Sequence, residues 1–332
     1  MSETRAALLR QRLVELPLHL EKADVHLKAV TLPSYPGEPR PSSTIELFGD
    51  GGTGSGENVA WTRPDHERFR SWVENHHWKE GSSLGTFAAE LARSPLEAYG
   101  RAAIESAAID LALQQASTNL AELCETAYAE IRYVRSFGAT ADPLSELHAH
   151  QEEAPEIGVK LDFDPAWPAR TLASLSALGI IEVLDFKHRG TAAEQSRTAE
   201  ILFEAWLEDP GVCGKPVSGA LADRFSLDAA LTDESPESTL HHLNPAAANL
   251  KIPRMGGVLN LLTAAAFCES RKKPFYMGGM FEVSVGREQA RELASLLAPQ
   301  GPNDLAPLPK SEIRRFPPTL EIPQGRHGFG RR

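Results

Sequence analysis

The chain has 332 residues, a mass of 36.2 kDa and a formal net charge of -11, with 42% hydrophobic, 24% charged and 7% aromatic residues. This much apolar material builds a sizeable core, which excludes a mainly disordered chain. The acidic balance argues against a nucleic-acid surface, which needs a basic stripe. Val258 to Cys268, the longest apolar run, is interrupted by Asn260 and Thr263 and falls short of the roughly 18 residues of a membrane span. Met1-Ser-Glu-Thr-Arg5 does not lead into an apolar run, so no secretory leader is expected. Cys124, Cys213 and Cys268 form neither a metal spacing nor a disulfide framework, and a reducing cytoplasm is the simplest setting.

In chain order, Ala23 to Leu32 alternates like a strand, with Val25, Leu27 and Val30 among its apolar members. The proline- and glycine-rich stretch from Pro33 to Ser43 predicts a loop, Thr44 to Phe48 a second strand, and Gly49 to Gly56 a flexible turn. From Ser94 to Cys124 the pattern is helical, and its small residues imply close packing on a neighbour. After about residue 126, short β-type runs alternate with helix-type sequence. They are Glu130 to Phe137, Gly158 to Phe163, Ile180 to Lys187, Ala205 to Glu208, Arg224 to Asp228, Asn249 to Ile252 and Phe275 to Gly279. That rhythm is the signature of a parallel sheet, and so many units point to a barrel rather than an open sheet. The stretch is short for a barrel of about 250 residues, so some helices must be trimmed. The expectation is an α/β fold: a modified TIM-type (β/α)7β barrel over residues 126–305, an N-terminal α+β cap over residues 1–125, and a tail at 306–332 packing back on the cap.

Polar residues at the strand ends carry the chemistry. Lys160, Asp185, Glu208, Asp228 and Lys251 follow one another at steps of 25, 23, 20 and 23 residues, each enough for one strand–helix unit. They are therefore expected at one level around the C-terminal mouth of the barrel. Three carboxylates flanked by lysines suit a hard divalent cation held by oxygens, Mg²⁺ or alternatively Mn²⁺, rather than zinc. Such an ion neutralises a substrate carboxylate and stabilises the enediolate left when a lysine removes the adjacent proton.

At these residues the chain resembles the enolase superfamily, specifically its muconate-cycloisomerase and o-succinylbenzoate-synthase-like branch. Gly278-Gly-Met-Phe-Glu-Val-Ser-Val-Gly-Arg287 is similar to the seventh-strand motif of that branch, Glu208-Asp-Pro210 to the fourth-strand Glu-x-Pro, and Lys251-Ile-Pro-Arg-Met-Gly256 to the sixth-strand lysine motif. Arg101 to Ala112 resembles the helix joining cap to barrel, and Gly54-Ser-Gly-Glu57 the glycine turn of the cap. The resemblance implies Asp185, Glu208 and Asp228 as Mg²⁺ ligands and Lys160 and Lys251 as opposed acid/base lysines. It further implies Gly278, Gly279 and Met280 as backbone holders of a substrate carboxylate, with Lys187 and Glu282 beside the substrate and Ser34 to Arg40 as part of a specificity loop. The implied activity is abstraction of the proton alpha to a carboxylate, first as a syn-elimination of the o-succinylbenzoate-synthase kind, second as cycloisomerisation or epimerisation.

Two positions depart from the branch pattern. Lys160-Leu-Asp162 stands where Lys-x-Lys is usual, and Asp185-Phe-Lys187 where Asp-x-Asn is usual. An alternative register makes Asp162, Asp164 and Trp167 the third-strand motif and leaves Asp185 as an extra carboxylate. The even spacing favours the first register, and Asp162 in a lysine position makes one-base chemistry easier to defend than two-base racemisation. Lys187 is either a base or a salt-bridge partner of Asp162 or Asp185. Competing readings are a carboxylate-binding protein that has lost base geometry at Lys160, and a zinc hydrolase using His76-His77, His148 with His150, or His241-His242. The expected partner is a small carboxylate, with no nucleic acid and no membrane; self-association into a homo-oligomer is left open.

Overall fold

A computed structural model describes residues 3–32, 35–78, 82–305 and 328–330. The N-terminal part holds an antiparallel sheet of β1 (Lys22–Leu32), β2 (Tyr35–Gly49) and β3 (Gly52–Asn58), with helices α1 (Arg5–Glu15), α2 (Arg63–Asn75), α3 (Leu84–Leu91) and α4 (Ala98–Gln115). The loop expected from Pro33 to Ser43 is corrected by the structure: residues 35–43 belong to β2. Beyond the Ser43–Asn58 pair the described part of β2 pairs as a strand with β1 alone, so Pro41, opposite Ala29, lies where the sheet has a free edge and a missing N–H costs no ladder bond. The glycine turn is also shorter than expected. It comprises Asp50 at φ 38° and Gly51 at φ 73°, a left-handed pair that suits a two-residue hairpin, and Gly52 to Gly56 are strand.

Those strand glycines exist for α4. A Cβ at Gly54 or Gly56 would overlap the carbonyl oxygens of Ala107 or Ala103, so β3 lies directly on the alanine face of the helix. Because α4 is covered by β3 on one side and the barrel on another, nearly its whole circumference is buried, which explains a helix that is small and apolar all round.

The barrel strands are β4 (Val134–Phe137), β5 (Gly158–Asp162), β6 (Ile181–Asp185), β7 (Trp206–Glu208), β8 (Phe225–Leu227), β9 (Ala247–Leu250) and β10 (Phe275–Met277), all parallel and paired in chain order. The seven expected β runs thus become seven staves. Residues 303–304 supply a vestigial eighth, bridging Tyr133 on one side and Gly278 on the other. Asn303 carries the closure: its Oδ1 accepts Met277 N–H at 2.8 Å and its Nδ2 donates to the carbonyls of Ala298 and Arg132.

Around the barrel stand α5 (Pro143–Glu153), α6 (Ala169–Ala177), α7 (Ala192–Ile201), α8 (Pro236–Leu243), α9 (Val258–Ser270) and α10 (Val285–Leu297). Their starts are written locally; α7 opens on a reciprocal Thr191/Glu194 capping box, and α5 on Asp142 followed by Pro143. Between β7 and β8 only a 3₁₀ turn, Gly219–Arg224, remains, which is the trimming that the chain length demands.

Two glutamates of the N-terminal part fasten it to barrel helices. Glu57 Oε1 accepts Val283 N–H at 3.0 Å, and its Oε2 accepts Ser284 N–H at 2.9 Å and Gly286 N–H at 3.2 Å, at the start of α10. Glu105 accepts Leu259 N–H at 2.9 Å at the start of α9. Both use the unpaired amides and positive end of a helix N-terminus. Of the expected tail contact, residues 306–327 and 331–332 lie outside the described residues, while 328–330 do pack on α4.

Glu105 generates a pH prediction. Burial, only partly offset by the Leu259 and Val258 N–H groups and by Arg10, pushes its carboxyl up to about 7. The folded state therefore holds a proton that the unfolded chain releases near its ordinary value, so stability declines as pH rises through about 7. Glu105→Gln keeps an acceptor for Leu259 and removes the titration. In urea unfolding it should gain on the unsubstituted chain between about pH 5 and 8, by up to about 3 kcal/mol; a difference independent of pH contradicts the account.

Candidate metal and proton-transfer site

Asp185 ends β6, Glu208 ends β7 and Asp228 directly follows β8. Their carboxylate oxygens lie within 4.8 Å of one another and all three side chains are buried. This is the one cluster of metal-ligating type among the described residues, and no histidine belongs to it. His150 instead bonds the Ile157 carbonyl at 2.8 Å and His76 stacks on Trp72, so the zinc reading finds no support there. The register is equally clear. Asp162 pairs with Asp185 at the strand ends, and Asp185, not Asp162, faces Glu208 and Asp228.

Of the five strand-end residues, Asp185 and Glu208 are direct ladder partners, while Lys160 and Asp228 are offset from them by two residues. Lys160 is opposite Val183, two residues before Asp185, and Glu208 is opposite Ser226, two residues before Asp228. Strand tilt and stagger in a barrel bring such offset positions to a common rim. The same period of two identifies what lies beneath. Ser226, Asn249 and Tyr276 stand two residues before Asp228, Lys251 and Gly278 and form a polar layer that sequence reasoning missed. Tyr276 Oη donates to Glu208 Oε2 at 2.6 Å and meets Ser226 Oγ at 2.8 Å, while Asn249 Nδ2 donates to the same Glu208 oxygen at 3.0 Å.

Asp209, also missed, locks the rim. Its two oxygens accept Asp228 N–H at 3.0 Å and Ala229 N–H at 2.8 Å, tying the end of β7 to the end of β8. Burial, then the neighbouring Asp228, Glu208 and Asp185, push its carboxyl up to about 7.

Every carboxylate of the trio has a basic partner. Lys160, 1% exposed, contacts Glu208, with Asp185 at 3.3 Å and Asp304 of the eighth stave at 3.6 Å. Burial alone would favour its neutral amine, but Glu208, Asp185, Asp304 and Asp228 outweigh that and hold the ammonium charged. Lys251 Nζ donates to Asp228 at 2.8 Å and is 5% exposed, and Arg254 contacts the other Asp228 oxygen. Lys187 contacts Asp185 and lies 3.6 Å from Asp162, the salt-bridge arrangement weighed from its sequence. Burial opposes ionisation of Asp185, yet Lys160 and Lys187 keep its carboxyl well below the usual range. Asp185 Oδ1 also accepts Lys187 N–H at 3.0 Å, an Asx turn that lets Lys187 and His188 adopt φ of 49° and 58°.

The seventh-strand motif is placed differently from expectation. The N–H groups of Gly278, Gly279 and Met280 are all engaged within the protein: on Leu250 O at 3.0 Å, Asp304 O at 3.1 Å and Glu282 Oε2 at 2.8 Å. Holding a carboxylate with these amides therefore finds no open donor, because ladder and loop closure consume them. Their contribution is space. A Cβ at Gly278 would come within 2.6 Å of Lys251 Cε, and one at Gly279 within 2.9 Å of Glu282 Oε2. Arg40, from the expected specificity loop, donates to Met280 O at 3.0 Å and stacks over Trp61, so it does reach the rim.

The donors fit a hard dication. Three carboxylates supply only oxygen, and their ligand atoms lie within 4.8 Å of one another, close enough to converge on one ion. Asp185, Glu208 and Asp228 would hold it.

Comparison with known proteins agrees on the architecture. An unknown member of the enolase superfamily from Enterococcus faecalis V583 superposes with a TM-score of 0.73 at 21% identity, covering 87% of this chain and 86% of that one. A dipeptide epimerase from Methylococcus capsulatus, complexed with Mg, gives 0.71 at 20% identity over 85% and 88%. Muconate lactonizing enzyme from Pseudomonas putida gives 0.68 at 16% over 86% and 88%. In sequence, o-succinylbenzoate synthase of Enterococcus faecalis is 27% identical over 281 residues, 77% of this chain and 76% of that protein. The fold is that of the enolase superfamily. Models described as the N-terminal and C-terminal domains of a domain of unknown function, DUF8230, match residues 11–123 and 127–310, and the chain belongs to that family.

Proposed function

We propose that this protein is a divalent-cation-dependent lyase or isomerase that removes the proton alpha to a substrate carboxylate, with Lys251 as the base. The observation that carries the reading is the buried Asp185–Glu208–Asp228 cluster with Lys251 Nζ 2.8 Å from Asp228 at its edge. Mg²⁺ bound there supplies positive charge to the substrate carboxylate, lowering the cost of the charge that develops when the proton leaves. The protein's own groups do the rest. Lys251 is walled by Gly278, which leaves room for its stem, and is aimed along the rim rather than into bulk water. Lys160, enclosed by three carboxylates, is a fixed ammonium that holds Glu208 and Asp185 together and is not the second base. Asp162 fills the lysine position of the second strand, and Lys187 is tied to Asp185 and Asp162. Asp162 in place of a lysine supports one-base elimination, the chemistry of the o-succinylbenzoate synthase with which the chain shares 27% identity.

Epimerisation, the activity named for several structural neighbours, needs a second amine on the opposite face; of the two other rim lysines, Lys187, its side chain 38% exposed, is far more open than Lys160 at 2%. The two outcomes separate in D₂O. With Mg²⁺ and a panel of dipeptides, succinyl-amino acids, acid sugars and cyclohexadienyl carboxylates, NMR should show loss of the α-proton signal with turnover to an unsaturated product. Lys251→Ala should slow it by about 10²–10⁴. Gly278→Ala, crowding Asn249 and the Lys251 stem, should lower the rate. Loss of the α-proton that survives Lys251→Ala, or no such loss with the unsubstituted chain, contradicts the proposal.

A further inference from the structure

The last described residues, Gly328-Phe329-Gly330, enter a slot between α4 and α10. Phe329 is fully buried, 0% exposed, within the same apolar core as Leu113, Leu293 and Leu296. Its N–H donates to Glu292 Oε2 on α10 at 2.8 Å, and Gly330 N–H donates to Asp110 Oδ1 on α4 at 2.7 Å. The slot is cut to glycine. A Cβ at Gly328 would overlap Glu292 Oε2, and one at Gly330, which sits at φ 71°, would lie 3.1 Å from the Thr118 carbonyl oxygen.

Both receiving carboxylates lead onward to the site. Asp110 uses its other oxygen to accept Ser55 N–H at 2.9 Å, and Gln289 of α10 donates to Ser55 O at 2.7 Å. Two residues along β3 is Glu57, whose carboxylate holds the amides of Val283, Ser284 and Gly286. Those amides end the loop that begins at Gly278, the wall of Lys251. Glu292, on the helix that continues this loop, also accepts Tyr128 Oη.

We propose that the C-terminal tip is a positioning element for the reaction: by bridging α4 and α10 it sets β3 and Glu57, and through them the loop that backs Lys251. The inference rests on the functional reading only for what the loop does. The mechanical link is physical and can be read without turnover. Phe329 and Gly330 touch neither substrate nor reacting atoms, so their effect runs through loop order rather than chemistry.

The test compares the full chain with one ending at His327, and with Gly328→Ala in the full-length protein as the milder variant. Amide hydrogen exchange should quicken by about tenfold at residues 283–287 and 53–57, the loss of roughly one net hydrogen bond. Exchange in β5 should stay unchanged, and Mn²⁺ affinity should hold within about twofold. A synthetic Arg-His-Gly-Phe-Gly-Arg-Arg peptide added to the shortened chain should restore slow exchange. If the shortened chain does not fold, Gly328→Ala decides alone. Unchanged exchange at 283–287 in a folded variant overturns the proposal, as does a uniform rise across cap and barrel, the mark of a mere stabiliser. A full chain that removes the α-proton of no carboxylate tested sinks the functional reading and leaves these amide rates to judge the clasp.

Discussion

Three like charges brought together inside a buried rim repel one another, and the arrangement around them answers that repulsion. With ligand atoms within 4.8 Å of one another and an effective dielectric of about 20, each pair costs at least roughly 3 kcal/mol. Lys160, Lys187, Lys251 and Arg254 offset it from the sides. Tyr276 and Asn249 pin Glu208 from beneath, and Asp209 ties the ends of β7 and β8 through backbone amides. A rim held this way would lose little freedom on taking up a dication, which is the sense in which it is preorganised.

The same economy runs through the joints of the molecule. Helix N-termini that follow barrel strands would otherwise expose unpaired amides within the protein, and Glu57 and Glu105 satisfy them from the N-terminal part. A carboxylate thus does two jobs, finishing a barrel helix and fixing the cap above the mouth. The glycines of β3 make this possible, since only without side chains can that strand lie against α4 closely enough for Glu57 to reach α10.

Much of this was legible in the order of residues. Seven β runs at near-regular steps announced seven staves, and Lys160, Asp185, Glu208, Asp228 and Lys251 announced the rim, because strand–helix units have a narrow range of lengths. What escaped were groups whose importance depends on which side of a strand they face or on a neighbouring stave. Ser226, Asn249 and Tyr276 could have been found by stepping back two residues from each site residue. Asp304 could not, since its stave is only two residues long. The proline-rich stretch before Ser43 misled because proline content reports a missing donor, not whether the strand edge needs one. The amides of Gly278 to Met280 misled because a motif shows where glycine stands and not where its N–H is already spent.

The account turns on Asp185, Glu208 and Asp228 sharing one ion. Titrating the purified chain with Mn²⁺ and following free ion by electron paramagnetic resonance tests this most directly. One ion should bind per chain, competed by Mg²⁺, and Asp185→Asn, Glu208→Gln and Asp228→Asn should each weaken it by at least about tenfold. Absence of binding in the unsubstituted chain, or binding indifferent to all three substitutions, contradicts the account.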